Sequence, residues 1–312
     1  MSVKVGIIMV SYNQKGFLDV LFETVSCQSF KSFCIYFVDN GSTDGSVEYA
    51  RELISRLNLD ARFFELTENT GYTGGNNFGV EEAVHDGCEY CLILNSDTEL
   101  APDCIEILVE CIESTPGIAA TGPILLLGKK DDHNTAIQEL GAVANFRNYI
   151  IKKNYSSELY EQTREKIPDY LQVNFLTGAC ILIKSAVYIK IGLFDDRYFA
   201  YGEEIDLFKR IHEAGFKVLA TKKARVWHHH DWSGKNKKGY YREYYLIQRN
   251  KYLYFKKHHL HKELIINLLK ETAHSPMTLK WFIRICDFRL FIFYIKGTIA
   301  GLRNQSGNPH FK

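Results

Sequence analysis

Along the first hundred residues the apolar positions switch repeatedly between a strand-like and a helical rhythm. Residues 3–10 are a nearly continuous apolar run of strand length; Ser11, Tyr12 and Asn13 interrupt it, and Leu18, Leu21, Phe22 and Val25 then recur at helical spacing. A second run at 34–38 ends in Asp39-Asn-Gly-Ser-Thr-Asp-Gly-Ser and leads into a helix marked by Val47, Ala50, Leu53 and Ile54. Residues 62–66 and 91–94 read as further strands, with a helix at about 75–85 between them. Strands alternating with helices predict a mainly parallel α/β sheet covered on both faces. Ligands of such sheets sit beyond the carboxyl ends of the strands. Ser11, Tyr12 and Asn13, then Asp39, then Asn95, Ser96 and Asp97 all fall there, so three clusters distant in sequence should converge on one crevice.

After Thr121 the alternation loosens. Residues 129–172 are polar and charged without a sustained period, which reads as a loop-rich excursion with a short strand or two and little identifiable chemistry. Order returns in a strand-like run at 173–183. At 202–214, Ile205, Leu207, Phe208 and Ile211 keep helix spacing behind Glu203, Glu204 and Asp206, acids that suit a helix N-terminus. From Tyr240 a helical period continues to about Ala300, with a break expected near Ser275-Pro276.

With 46% hydrophobic and 24% charged residues in a chain of 312, a folded protein is expected, and the net charge of +1 gives no pull toward nucleic acid. That sum conceals an asymmetry. Residues 222–312 hold 19 basic and 5 acidic side chains, whereas the first 221 hold 19 and 32. Residues 1–10 lack an export or presequence pattern, so a cytoplasmic location is expected. Of eight cysteines only Cys88 and Cys91 form a C-x-x-C pair, which without a second pair reads as buried thiols.

Three clusters carry chemistry. In Asn69-Thr-Gly-Tyr-Thr-Gly-Gly-Asn-Asn-Phe-Gly, Gly71, Gly74 and Gly75 let backbone approach a ligand before a helix, a geometry that favours phosphate. The stretch is not the dinucleotide fingerprint, and the Walker sequence is absent. Asp97 follows a strand end, where a divalent cation would be held, or else caps a helix before Pro102. An imidazole from Trp227-His-His-His-Asp-Trp-Ser233 could complete the coordination of such a cation. Glu203, Glu204 and Asp206 either complement a helix dipole or offer a general base.

Taken in order, the segments Val10-Ser-Tyr-Asn13, 38–46, 69–79, Leu94-Asn-Ser-Asp-Thr98, Gly192-x-Phe-Asp195, Tyr198-Phe-x-Tyr-x-Glu-Glu-x-Asp-Leu207, Arg210, Gly215, and His228 with Ser233 resemble an inverting family-2 glycosyltransferase of the rhamnosyltransferase-like group. The match spans about residues 3–255. The resemblance implies a GT-A fold: a Rossmann-like nucleotide-binding, mixed, mainly parallel sheet flanked by helices over residues 1–238, with an appended helical region at 239–312. It implies that Asp39 reads the nucleotide base, with Ser11, Tyr12 and Asn13 lining its pocket, and that Asn40, Ser42, Gly71, Gly74, Asn76, Asn95 and Ser96 also bind the nucleotide-sugar. Asn95 and Asp97 occupy the family's D-x-D position, the first Asp being Asn here. Asp97 and His228 would hold Mg²⁺ or Mn²⁺ on the diphosphate. Glu204 stands where the family's base is usually Asp, with Glu203 and Asp206 in reserve.

The expected reaction moves a sugar from dTDP-rhamnose or a UDP-sugar to a hydroxyl of a glycan or lipid-linked glycan acceptor in cell-surface polysaccharide synthesis. Alternatives are a catalytically silent nucleotide-sugar-binding subunit and a sugar nucleotidyltransferase, although the latter's basic glycine-rich loop after strand one is absent. The basic, aromatic C-terminal region has no apolar run long enough to span a bilayer. It is expected either to rest on an anionic membrane surface, at the inner face of the plasma membrane, or to form a homodimer or domain interface.

Overall fold

The computed structural model describes residues 4–128, 130, 132, 135–229, 237–284 and 288–309, with 237, 238 and 274–284 as backbone only. Strand β1 (Val5–Ser11), helix α1 (Leu18–Ser26), β2 (Phe33–Asp39), α2 (Ser46–Arg56), β3 (Ala61–Glu65), α3 (Gly71–His85) and β4 (Tyr90–Leu94) follow the predicted alternation. β3, β2, β1 and β4 lie side by side and parallel. Their register sets Ser11 beside Asp39 and Asp39 beside Glu65, so the carboxyl ends are level.

The sheet then becomes mixed. β5 (Thr98–Leu100), α4 (Cys104–Glu113) and β6 (Ile118–Leu127) are followed by β7 (Ile137–Glu139), β8 (Ala142–Asn145), β9 (Ile150–Lys153), α5 (Tyr160–Thr163), β10 (Tyr170–Val173), β11 (Cys180–Lys184), α6 (Ser185–Ile191), α7 (Glu203–Glu213) and β12 (Lys217–His228). Among the described residues one ten-stranded sheet runs β10-β12-β6-β11-β4-β1-β2-β3, with β5 on β12 and β7 on β6, while β8 and β9 pair separately. Alternate side chains feed two cores, as a pleated strand requires. Val5, Ile7 and Met9 pack toward Leu21, Phe22, Leu53 and Leu108 of α1, α2 and α4, whereas Ile8 faces Val80, Val187 and Phe208 of α3, α6 and α7. Cys88 and Cys91 are buried there, and burial pushes the Cys91 thiol up to about 12.

Several boundaries depart from the periodicity. The run at 173–183 is two strands, because Asn174 turns its side chain onto the main chain of Ala144 and the chain loops through 174–179 before β11 begins. β6 continues through Gly122-Pro123 where no strand was expected, and its pairing with β12 slips between Thr221 and Arg225 beside the proline. The excursion at 129–172 carries β7, β8, β9, α5 and the start of β10.

Helices α8 (Lys237–Lys257), α9 (His261–Arg284) and α10 (Phe288–Leu302) complete the chain. α9 passes through Pro276, where a break was expected; a proline forfeits one backbone bond, and the rest of the helix is retained. α8 and α10 approach closely because Gly297 and Gly301 lack a Cβ, which would lie 2.4 Å from the carbonyl oxygens of Tyr245 and Arg249. Phe293 stacks on Tyr241, with ring centroids 5.2 Å apart. Among the described residues no helix is long and apolar enough to cross a membrane.

α8 also supports the turn that precedes α7. Asn250 donates to the carbonyls of Tyr198, Ala200 and Tyr201, and the buried Arg249 donates to those of Tyr198 and Gly307. This turn needs holding: Phe199 and Tyr201 both have positive φ, 65° and 68°, a conformation that costs a non-glycine residue energy.

Candidate functional site

The three polar clusters meet at the carboxyl ends of β1, β2 and β4. Ser11 is fully buried and its hydroxyl has no partner. Asp39 accepts the backbone N–H groups of Gly41 and Ser42 on Oδ2, at 3.1 and 2.9 Å, and leaves Oδ1 buried and unpartnered. Tyr12 is exposed beside them. Asn13 takes positive φ and joins the two loops: its N–H donates to the Ser42 hydroxyl and its Oδ1 accepts from the Thr43 N–H. Asn40 is spent on architecture. Its amide donates to Gly71 O and Asn69, while its Oδ1 accepts from Thr70 N–H and hydroxyl, tying the end of β2 to the start of α3.

The glycine-rich stretch forms the first turns of α3. Gly71 has φ of 82°, and a Cβ there would lie 2.3 Å from the Phe199 carbonyl oxygen, which also accepts from the Thr73 N–H. This contact locks α3 to the turn before α7. Gly74 abuts Thr70, and the buried Asn76 donates to the Tyr72 carbonyl.

After β4, Asn95 donates its N–H to Ala179 O, and the Ser96 hydroxyl donates to Val10 O. Asp97 is brought to His228 because β5 pairs with the end of β12, setting Thr98 opposite His228. His228 Nε2 lies 3.3 Å from Asp97 Oδ1. Its Nδ1 lies 2.9 Å from Gln138 Oε1, a contact that orients the ring with Nε2 toward Asp97. An imidazole oriented from behind by a hydrogen bond and facing a carboxylate suits a divalent cation. Among the described residues no three His, Cys, Asp or Glu side chains cluster to hold a metal unaided. The pair therefore fits Mg²⁺ or Mn²⁺ completing its shell with phosphate and water. His229 instead faces Glu99, at 3.3 Å. Ser233, whose spacing singled out His228, lies outside the described residues.

The three acids opening α7 diverge. A helix turns about 100° per residue, so successive carboxylates meet different surroundings. Glu203 is buried with Oε2 unpartnered, and burial, then the charge of Glu204, raises its carboxyl well above the usual range. Glu204 is partly exposed; its Oε1 accepts the Gly178 N–H at 3.3 Å, and burial raises its carboxyl against the opposing backbone hydrogen bonds. Asp206 points away into a cluster of Arg210, Lys257 and His258, at 2.8–2.9 Å. Burial would raise it, but the His258 hydrogen bond and the two cations prevail and lower it. Asp206 is thus an anchor between α7 and α8, already paired three ways.

Residues that the sequence did not single out complete the site. Tyr72 donates to Gly178 O at 2.8 Å, so one loop residue links α3 to Glu204. Buried Glu139 accepts from the Thr177 N–H and hydroxyl and lies 3.2 Å from Lys153. Gln138 and Glu139 come from the excursion thought to carry little chemistry. Their signal was the short alternation of β7, too brief to stand out.

Because Glu203 binds its proton more tightly when folded, its contribution to stability is present below the ordinary carboxylate pKa and lost as pH rises through the raised one. Glu203→Gln should therefore be more stable than the parent at about pH 8, with the difference vanishing toward about pH 4. Urea midpoints across that range check this; a constant difference would contradict it.

The sequence model of "Glycosyl transferase family 2" matches residues 6–192. The N-acetylglucosaminyl-diphospho-decaprenol L-rhamnosyltransferase of Mycobacterium tuberculosis is 25% identical over 235 residues, 72% of this chain and 75% of that one. The low-salt glycan biosynthesis hexosyltransferase Agl10 of Haloferax volcanii is 24% identical over 313 residues, covering 97% and 92%. The mannosyltransferase PcManGT of Pyrobaculum calidifontis, solved with GDP-Man and Mn²⁺, superposes with a TM-score of 0.58 at 14% identity over 96% of this chain and 87% of that one. The mixed sheet with its flanking helices is the GT-A fold, and with the family's pattern extending over more than half its length, this chain belongs to glycosyl transferase family 2.

Proposed function

We propose that this protein is an inverting, cation-dependent glycosyltransferase. It moves a sugar from dTDP-rhamnose or a UDP-sugar to a hydroxyl of a glycan or lipid-linked glycan. The observation that carries this reading is the approach of Asp97 to His228, linked through Gln138 and its neighbour Glu139 to a partly exposed carboxylate of raised proton affinity, Glu204, which feels the charge of Glu139. The rhamnosyltransferase relative's name supports a lipid-linked acceptor.

In this reading the unpartnered Ser11 hydroxyl and Asp39 Oδ1 receive the nucleoside, and Tyr12 lines its pocket. Asp97 and His228 would hold a divalent cation, which when bound supplies positive charge against the diphosphate. Glu204 takes the proton of the acceptor hydroxyl while that oxygen bonds to the anomeric carbon. The bond from that carbon to the diphosphate oxygen breaks, configuration inverts, and a nucleoside diphosphate leaves. A base with raised affinity near the operating pH suits the step. Residues 1–238 form the catalytic unit and 239–312 a helical region that braces it.

A screen of sugar nucleotides for nucleoside diphosphate release tests the reaction. Pyrophosphate would identify a nucleotidyltransferase, and no release a silent subunit. Glu204→Gln should keep donor binding and lose roughly 10²–10⁴-fold in turnover; near-normal turnover would remove Glu204 from the role.

The outer face of α10 supports a second element of the reading. Phe288, Ile292, Ile295 and Ile299 form one stripe, exposed by 54, 39, 37 and 43%, and Arg289, Lys296 and Arg303 flank it along one side in the basic part of the chain. Apolar residues edged by cations fit an anionic membrane surface. At low salt the protein should sediment with anionic vesicles and not with zwitterionic ones. Failure to sediment, with concentration-dependent dimerisation, would assign the stripe to a subunit interface.

A further inference from the structure

Arg242, in the second turn of α8, differs from the buried Arg249, each of whose guanidinium nitrogens donates within the fold. Its guanidinium lies over the Phe199 ring, 4.6 Å from the centroid, and Nη2 donates to Asn308 Oδ1 at 2.8 Å. Nε is buried without a partner, and among the described residues no carboxylate pairs with Arg242. Burial lowers its proton affinity, opposed by its interactions with Tyr12 and Tyr201. Tyr12 stands beside the unpartnered Ser11 and Asp39 atoms, and Tyr201, two residues before Glu203, feels the charge of Glu243 first and then those of Glu203 and Glu204. A partly buried cation without a counter-ion is costly unless an anion arrives to meet it.

Arg242 is also held in place. Asn308 Nδ2 reaches the Asn69 carbonyl at 3.4 Å, the Gly307 N–H donates to Arg197 O, and Arg249 donates to Gly307 O. The segment after α10 thus returns across the start of α3 and clasps both the glycine-rich stretch and the turn before α7. Phe199, the ring under Arg242, is the residue whose carbonyl meets Gly71.

Resting on the glycosyl-transfer reading, we infer that Arg242, oriented by Asn308, binds the diphosphate of the donor between the nucleoside pocket and Glu204. The crevice is lined by carboxylates, and a cation at Asp97 and His228 offsets only part of the charge that a diphosphate brings. A guanidinium supplies the remainder with directed donors, and on departure of the sugar it faces the leaving nucleoside diphosphate. The C-terminal region is then part of the donor site as well as its brace.

The test compares binding of UDP and dTDP with that of uridine and thymidine, in Mn²⁺, by calorimetry for the diphosphates and saturation-transfer NMR for the nucleosides. Arg242→Gln should weaken the diphosphate by about tenfold or more and leave the nucleoside unchanged, Arg242→Lys should recover part of the loss, and Asn308→Ala should lose a few-fold. Equal loss for diphosphate and nucleoside would assign Arg242 to packing and overturn the inference, as would unchanged diphosphate affinity in Arg242→Gln. Should Arg242→Gln fail to fold, Arg242→Lys and Asn308→Ala still decide: parental diphosphate affinity in both overturns it. If the parent protein binds neither diphosphate, the glycosyl-transfer reading falls and the inference with it.

Discussion

The structure is organised around a conflict of charge. Asp39, Asp97, Glu139, Glu203 and Glu204 gather near the carboxyl ends of the strands, in the part of the chain where 32 acidic residues face 19 basic ones. Each is dealt with differently. Asp39 takes two backbone N–H groups, Asp97 faces His228, Glu139 has Lys153 and Thr177, and Glu203 is pushed toward its neutral form by burial. Glu204 alone is left partly exposed with raised proton affinity, held only by backbone N–H groups, that of Gly178 at 3.3 Å among them. Environments that push neighbouring carboxyls apart are how one site assigns different roles to the same chemical group.

Holding those acids apart requires rigid backbone, and the C-terminal helices supply it. The strained turn at 197–201 sets the direction of α7, and it is fixed from one side by the Gly71–Phe199 approach and from the other by Arg249 and Asn250. Asp206 reinforces the same junction by binding Lys257 and His258 of the segment ending α8. The glycine pair on α10 lets that helix lie against α8, so the brace is itself packed. The basic excess after residue 221 thereby acquires two uses: Lys257 and Arg249 inside the fold, and the flank of α10 outside it.

The parallel half of the fold was legible because its strands are buried on both faces and its helices amphipathic, so period and length agree. Ser11, Asp39 and Asp97 were legible for the same reason: a strand end can be read where apolar residues stop. The three acids of α7 were not separable, since Glu203, Glu204 and Asp206 are alike in sequence and only helical rotation gives them core, crevice and cation cluster as neighbours. Gln138 and Gly178 were missed because their roles rest on contacts across 90 and 26 residues from elements too short to show a period. Pro276 misled by suggesting a stop where the helix carries through, and the strand that runs through Pro123 was not read at all.

If charge conflict in the crevice is the governing constraint, a nucleoside diphosphate should enter only with a cation. Calorimetric titration of the parent protein with the nucleoside diphosphate of its donor, in Mn²⁺ and again in chelator, tests this most directly. The account predicts binding with the metal and its near disappearance without; equal affinity in both would contradict it.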